Sequence, residues 1–217
     1  MHAIAFVTQK GGAGKSTLAA CLAVAAQETG EQVFLLDMDS QGSLLSWGQS
    51  RGAGTPLVDT ITPVKLEAAL ATLAGNGYTL AMIDTAGADT AAAAAAMRAA
   101  DLCLIPARPT AFDIRATEKT RDALKTLGCE YAFILNQCPP GPRSTRAHDG
   151  ARALELMGGL VTPMIASRVD YQTAAVTGQG VTELNPQGKA AEEMRELWAS
   201  VKRRLGVRKH GKAARVA

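Results

Sequence analysis

Charge of either sign is sparse in this 217-residue chain: charged residues make up 20%, and 23 Lys and Arg against 20 Asp and Glu leave a formal net charge of +3. That excess is too small to argue by itself for a polyanionic partner. Aromatic residues are scarcer still at 4%, against 47% hydrophobic residues overall, so the interior must be aliphatic and rich in alanine. The four cysteines, Cys21, Cys103, Cys129 and Cys138, show no C-x-x-C spacing. This excludes a thiolate zinc site or an iron–sulfur site of the usual spacing, and small core or loop roles are expected for all four. No run of eighteen apolar residues occurs, so no membrane-spanning helix is expected. Nor is a signal peptide expected, because no charged leader precedes a long apolar run. No internal repeat is evident, and 217 residues suit one domain with a sizeable core.

What the chain does have is a glycine-rich turn, Thr8-Gln9-Lys10-Gly11-Gly12-Ala13-Gly14-Lys15-Ser16-Thr17. It follows the apolar run Ala3–Val7, a short buried strand, and precedes Leu18–Ala26, which has the composition of a helix. Strand, glycine turn and a helix opening on Gly-Lys-Ser form the context of a phosphate-binding loop. The glycines let several N–H groups face one anion, and the helix N-terminus adds partial positive charge. In that arrangement Lys15 reaches the β- and γ-phosphates and the Ser16 hydroxyl ligates Mg²⁺. The general pattern would place glycine where Gln9 stands, and a further lysine, Lys10, heads the turn.

Two more strand ends carry acids. Gln32–Leu36 runs into Asp37-Met38-Asp39-Ser40-Gln41-Gly42, and Tyr78–Ile83 runs into Asp84-Thr85-Ala86-Gly87. Acids at the carboxyl ends of parallel strands face the side where α/β proteins bind ligands. Asp84 ends an apolar run as a Walker B aspartate does, a position that holds Mg²⁺ through water. Thr85 and Gly87 then open a loop able to sense a terminal phosphate. The alternative role for Asp37 and Asp39 is to cap the following turn.

Further elements follow in order. A helix is expected over Ser43–Arg51, packing through Trp47, then an edge strand over Leu57–Ile61. Pro63 starts a helix to about Leu73 with Val64 on its apolar side. An alanine-rich helix is capped by Asp89 and runs to Ala100, followed by a strand over Leu102–Ile105. A helix runs from Phe112 to about Leu127, with Asp113 as a candidate N-cap. Tyr131–Leu135 is a strand ending in Asn136, and Ser144 or Thr145 caps a helix to Met157. Leu160–Ile165 is expected to be the last strand. The final helix, Lys189–Leu205, presents Met194, Leu197, Trp198, Val201 and Leu205 on one face. Arg143 of the loop 137–145 and Arg146 just after it either wall a bound base or are merely solvated. Residues 206–217 form a basic tail, expected to be disordered, that either frays in solvent or contacts phosphates.

The pattern K-G-G-x-G-K-[ST] at Lys10–Ser16, D-x-D-x-Q-G at Asp37–Gly42 and the order R-x-x-Y, G-x-x-V, P, K-A from Arg168 onward resemble the ParA/MinD family of ATPases with a deviant Walker A motif. The resemblance spans nearly the whole length and lies closest to small ParA-type partition or positioning ATPases. It implies an α/β fold of three layers, the P-loop NTPase fold, with a mostly parallel twisted sheet and helices on both faces. It also implies one such domain over residues 1–205. By the same resemblance Lys10, Gly11, Gly12, Ala13, Gly14, Lys15, Ser16, Thr17 and Asn136 bind ATP, with Asn136 reading the adenine edge. Ser16, Asp37 and Asp84 serve Mg²⁺, Asp39 orients the attacking water, and Lys10 crosses to the phosphates of a partner subunit. Arg168, together with the basic Lys202, Arg203 and Arg204, is the candidate contact to DNA phosphates. Asp170 stands where some relatives carry a second arginine.

The function implied is a Mg-dependent ATPase, slow and partner-stimulated, that forms a homodimer with ATP and binds DNA non-specifically. It would segregate or position a cargo through a ParB-like or other adaptor, and would be cytoplasmic and nucleoid-associated. Two other readings remain. A MinD-like membrane switch needs the last helix to keep a free apolar face. A dethiobiotin-synthetase-like ligase shares the loop, and Lys10 with Asp-Ser-Gln-Gly argues against it.

Overall fold

The computed structural model describes residues 1–87, 90–141 and 144–213. Its framework is one sheet of six strands: β1 (His2–Phe6), β2 (Val33–Asp37), β3 (Leu57–Thr60), β4 (Leu80–Asp84), β5 (Leu102–Ala107) and β6 (Tyr131–Leu135). Every pairing is parallel, in the order β3-β2-β4-β1-β5-β6. Apart from edge strand β3 these strands are apolar nearly throughout, the pattern of a parallel sheet covered on both faces. Alternation then deals the side chains out. Ile4 and Phe6 of β1 enter one core with Leu35, Met82 and Leu104, while Ala5, Ile83, Ile105 and Phe133 enter the other.

Helices α1 (Lys15–Gln27), α2 (Ser43–Gln49), α7 (Val169–Thr177), α8 (Val181–Leu184) and α9 (Lys189–Ala213) contribute to the first core. The second is covered by α3 (Leu66–Gly75), α4 (Thr90–Ala99), α5 (Ala111–Leu127) and α6 (Thr145–Leu156). The result is the three-layer α/β arrangement that the resemblance implies. Alanine dominates α1, where Ala19, Ala20, Ala23, Ala25 and Ala26 are all buried, so the helix lies close against the sheet and α9. Because all strands run the same way, the ends of β1, β2, β4 and β6 open onto one edge. Asp37 and Asp84 are register partners on adjacent strands, and Phe6, the last residue of β1, is Asp84's partner on the other side.

Several expectations are revised. Leu160–Ile165 forms no ladder strand; only isolated bridges join Phe133 to Leu160 and Cys138 to Ala166. Pro163 interrupts the run and has no N–H to donate, so the segment lies alongside β6 with few bonds, from the N–H groups of Val161 and Ile165 to Phe133 O and Leu135 O. Val64 is 94% exposed because the turn from Pro63 to Lys65 is 3₁₀, and the α-helix starts only at Leu66. Asp113 is the third residue of α5, not its cap. Thr110 is the cap and accepts from the Asp113 N–H, while the Asp113 carboxylate takes bonds from the Thr110 hydroxyl and, at 3.0 Å, from Arg108 Nε. Ser144 caps α6 as expected, through the Ala147 N–H. Helix α9 runs on past Leu205 to Ala213. No proline interrupts it, and extending a helix already docked through Leu205 is far easier than starting one. The cap expected at Asp89, Arg143 of the loop 137–145 and the last residues from 214 lie outside the described residues.

Candidate functional site

The glycine turn between β1 and α1 is built to expose N–H groups. Gly12 and Gly14 take φ of 72° and 90°, left-handed values that side chains disfavour, and Gly14 is the N-cap of α1. Among the described residues no turn, loop, cap or side-chain acceptor takes the N–H groups of residues 11–17, while Leu18 N–H closes the first helical bond on Gly14 O. A consecutive row of free donors at a helix N-terminus is an anion cradle. It lines a cavity of about 470 Å³ together with Lys15, Ser16, Asp39, Gln41, Ser43 and Gly87. Lys15 is buried at 8% exposure, and neither it nor the half-buried Lys10 has a carboxylate within ion-pair distance among the described residues. Two cations beside a row of free N–H donors leave a site for a polyanion. Gly87 comes close as well: a Cβ there would stand 3.4 Å from Gln9 O.

Asp84 is fully buried at the end of β4. Its Oδ2 accepts from Ser16 Oγ at 2.5 Å, and its Oδ1 has no partner among the described residues. Burial pushes this carboxyl up to about 7; the Ser16 bond opposes the shift, and the neighbouring Asp37 and Asp39 charges reinforce it. An unpartnered buried carboxylate oxygen beside a hydroxyl is the donor set of a hard, oxygen-seeking cation, so the residues present fit Mg²⁺. Among the described residues no three His, Cys, Asp or Glu side chains gather as a protein cage. That suits an ion that keeps most of its water and shares substrate phosphates.

The two acids after β2 differ. Asp37, 1% exposed, accepts the Asp39 N–H on Oδ1 and the Leu45 N–H on Oδ2, both at 2.9 Å, so it ties the loop to the start of α2. Asp39 is half-buried, lines the phosphate-side cavity and accepts the Gln41 N–H at 3.0 Å. Thr85 donates to Phe6 O at 2.8 Å, fastening the start of the β4 loop to β1.

A second cavity of about 300 Å³ lies on the other side of Gly14, lined by Asn136, Gln137, Ser167, Arg168, Tyr171 and Gln172 among others. Asn136 is 6% exposed and commits one N–H to Ala13 O at 2.8 Å, which leaves its Oδ1 and second N–H for a ligand. Sequence reasoning missed two residues here. Gln137 Nε2 donates to Gly12 O at 2.9 Å, and Glu193 of α9 accepts from Arg168 and from the Ala166 N–H.

The candidate DNA contacts do not share one open face. Arg168 is ion-paired with Glu193 at 2.5 Å, which holds its guanidinium even further above its ordinary range. Lys202 pairs with Glu31 at 2.8 Å and lies over Trp198, and Arg204 donates to Tyr131 O at 3.0 Å. Arg203 is exposed, and no partner holds it among the described residues. The apolar face of α9 is spent on the core: Met194, Leu197, Trp198, Val201 and Leu205 are at most 4% exposed. No helix among the described residues is long and apolar enough to cross a membrane.

A family model described as the CobQ/CobB/MinD/ParA nucleotide binding domain matches residues 4–207. The chain is 33% identical over 196 residues, 88% of its length and 87% of the relative's, to the maintenance of carboxysome distribution protein A of Gloeobacter kilaueensis. It is 30% identical over 182 residues, 79% of its length and 81% of the relative's, to the protein ParA of Rhizobium radiobacter. Among solved structures it superposes on an ATP complex of a McdA variant from Cyanothece with a TM-score of 0.77, at 17% identity, covering 95% of this chain and 96% of that one.

Proposed function

Since the chain belongs to the CobQ/CobB/MinD/ParA nucleotide-binding family, we propose that it is an ATP-dependent switch that hydrolyses ATP and positions a cargo. The observation that carries the reading is the row of N–H groups from residue 11 to 17 that meets no acceptor among the described residues, set between two lysines with no carboxylate partner among them and the buried Asp84. Polyphosphate satisfies all of these groups at once. Gly11–Thr17 and Lys15 bind the phosphates, Ser16 and Asp84 hold Mg²⁺, and Asn136 faces the base. The metal, when bound, neutralises charge that develops on the transferred phosphoryl group.

Asp39 orients water for in-line attack, and Asp37 holds the Asp39 loop in place. Lys10 has no ion-pair partner among the described residues of its own subunit, in keeping with a role across a dimer interface that ATP itself bridges. The dimer doubles a weak basic surface, and that multivalency gives non-specific attachment to DNA. Arg203 and the basic segment after it are the candidates for that surface. Arg168, Lys202 and Arg204 would first have to leave partners within the chain. Release follows loss of the γ-phosphate, hastened by an adaptor bound to the cargo. The relatives named for carboxysome distribution and for ParA support a positioning role. The membrane-switch reading loses support, because the apolar residues of α9 from Met194 to Leu205 are buried in the core and not offered to a bilayer.

The test is ATP-dependent dimerisation and DNA retention, by sedimentation and filter binding, in the wild type, Lys10→Ala and Asp39→Ala. Lys10→Ala should stay monomeric with ATP. Asp39→Ala should dimerise and remain on DNA without turning over. A Lys10→Ala protein that dimerises normally would remove the bridging role, and a wild type indifferent to ATP would remove the switch.

A further inference from the structure

A loop that offers its N–H groups to an anion must dispose of its carbonyls. Two of them here are taken by consecutive side-chain amides just beyond β6: Asn136 Nδ2 donates to Ala13 O at 2.8 Å, and Gln137 Nε2 donates to Gly12 O at 2.9 Å. Consecutive residues of an extended chain point to opposite sides. These two converge because Gln137 adopts φ 54°, the only non-glycine residue with positive φ among the described residues. That conformation is disfavoured for any residue with a Cβ, and its occurrence at an exposed glutamine whose amide meets the phosphate loop calls for a reason.

The geometry points to Gln137 as a positioning residue of the phosphate loop, a clamp acting with Asn136 from outside the cradle. A trans peptide holds its C=O and N–H on opposite sides. Drawing the Gly12 and Ala13 carbonyls toward the end of β6 therefore turns the N–H groups of Ala13 and Gly14 the other way, into the row of free donors. Gly14 also packs against the clamp, since a Cβ there would fall 2.5 Å from Asn136 Nδ2. The cradle is thus set before a ligand arrives, and binding does not have to reorient these two peptides. The proposal rests on the reading of this loop as a polyphosphate site.

The experiment measures affinity of the full chain for ATP and for inorganic tripolyphosphate, which lacks a base, by calorimetry, with kcat and KM for ATP hydrolysis alongside. Gln137→Ala should weaken both ligands about fivefold, the net worth of one hydrogen bond, and raise KM with kcat unchanged. Gln137→Glu keeps the length but loses the donor, and should bind no better than Gln137→Ala. Gln137→Gly relieves the positive φ and should melt above Gln137→Ala while binding as weakly, which separates the clamp from any loss of stability. Unchanged tripolyphosphate affinity in Gln137→Ala, or a loss confined to ATP, overturns the clamp. A wild type that binds neither ligand overturns the phosphate-site reading instead.

Discussion

Asp84→Asn should make the ligand-free protein more stable at pH 8 while abolishing ATP hydrolysis. The Asp84 carboxyl is buried, one of its oxygens is unpartnered, and it titrates at about 7 rather than at its ordinary value of 3.8. The folded chain therefore holds this proton more tightly than the unfolded chain does. Its effect on stability is absent below pH 4, grows more unfavourable as pH rises to about 7 and is constant above that. At 1.36 kcal/mol per pH unit the full penalty is about 4 kcal/mol at pH 8 and under 2 kcal/mol at pH 5. Asparagine removes the penalty, keeps an oxygen for the Ser16 hydroxyl and leaves an amide N–H without an acceptor, which returns about 2 kcal/mol. The net gain is about 2 kcal/mol at pH 8, or roughly 4–8 °C in melting temperature for a domain of this size, and close to nothing at pH 5. Calorimetry in chelator without nucleotide, at both pH values, measures it. Saturating Mg²⁺ and ATP should reverse the order, because only the wild type gains from binding. A melting difference that is the same at pH 5 and pH 8, or a variant less stable at pH 8, refutes the reasoning.

Two further substitutions test the packing. Arg51, with a side chain only 3% exposed, makes a fork to Glu183 at 2.6 and 2.8 Å, donates to Gly178 O at 3.0 Å and lies over Trp47. Arg51→Ala strands Glu183 and should cost about 3–5 kcal/mol in urea unfolding, with Arg51→Lys recovering little of it because an ammonium cannot form the fork. Leu197→Ala, at a fully buried site where α9 meets α1, should cost about 3 kcal/mol. A loss below about 0.5 kcal/mol would mean that α9 is not held against the sheet.

What could be read ahead of the structure follows burial. Tyr131–Leu135 is a strand buried between two helical layers and shows itself as an apolar run bounded by polar residues. The glycine turn declares itself because its chemistry needs glycine and lysine at fixed spacing. Leu160–Ile165 has the same apolar signature, and only Pro163 marks it as unable to join the ladder. Residues whose role depends on a distant partner left no trace. Arg168 is legible as a cation, yet Glu193, 25 residues away, decides that its charge is spent inside the chain. Gln137 is equally silent, since its role exists only once a left-handed turn brings it to a loop 125 residues earlier.

The three acids at the carboxyl edge show how position and environment divide labour. Asp37 and Asp84 are register partners on neighbouring strands, yet their oxygens meet opposite fates. Asp37 has a backbone N–H on each oxygen, and such a carboxylate orders chain. Asp84 has the Ser16 hydroxyl on one oxygen and, among the described residues, nothing on the other, so it gains most from a cation. Asp39, between them in the sequence, alone lines the cavity in a half-exposed state. Its loop is also braced well beyond the site. Asp37 holds the Leu45 N–H near the start of α2, Trp47 Nε1 donates to Gln179 O at 3.0 Å from the middle, and Arg51 just past its end fastens to Gly178 and Glu183. Helix α2 is thereby tied at one end to the residue that orders the Asp39 loop and at the other to the chain between α7 and α8. These bonds join the Asp39 loop, through α2, to the chain between α7 and α8.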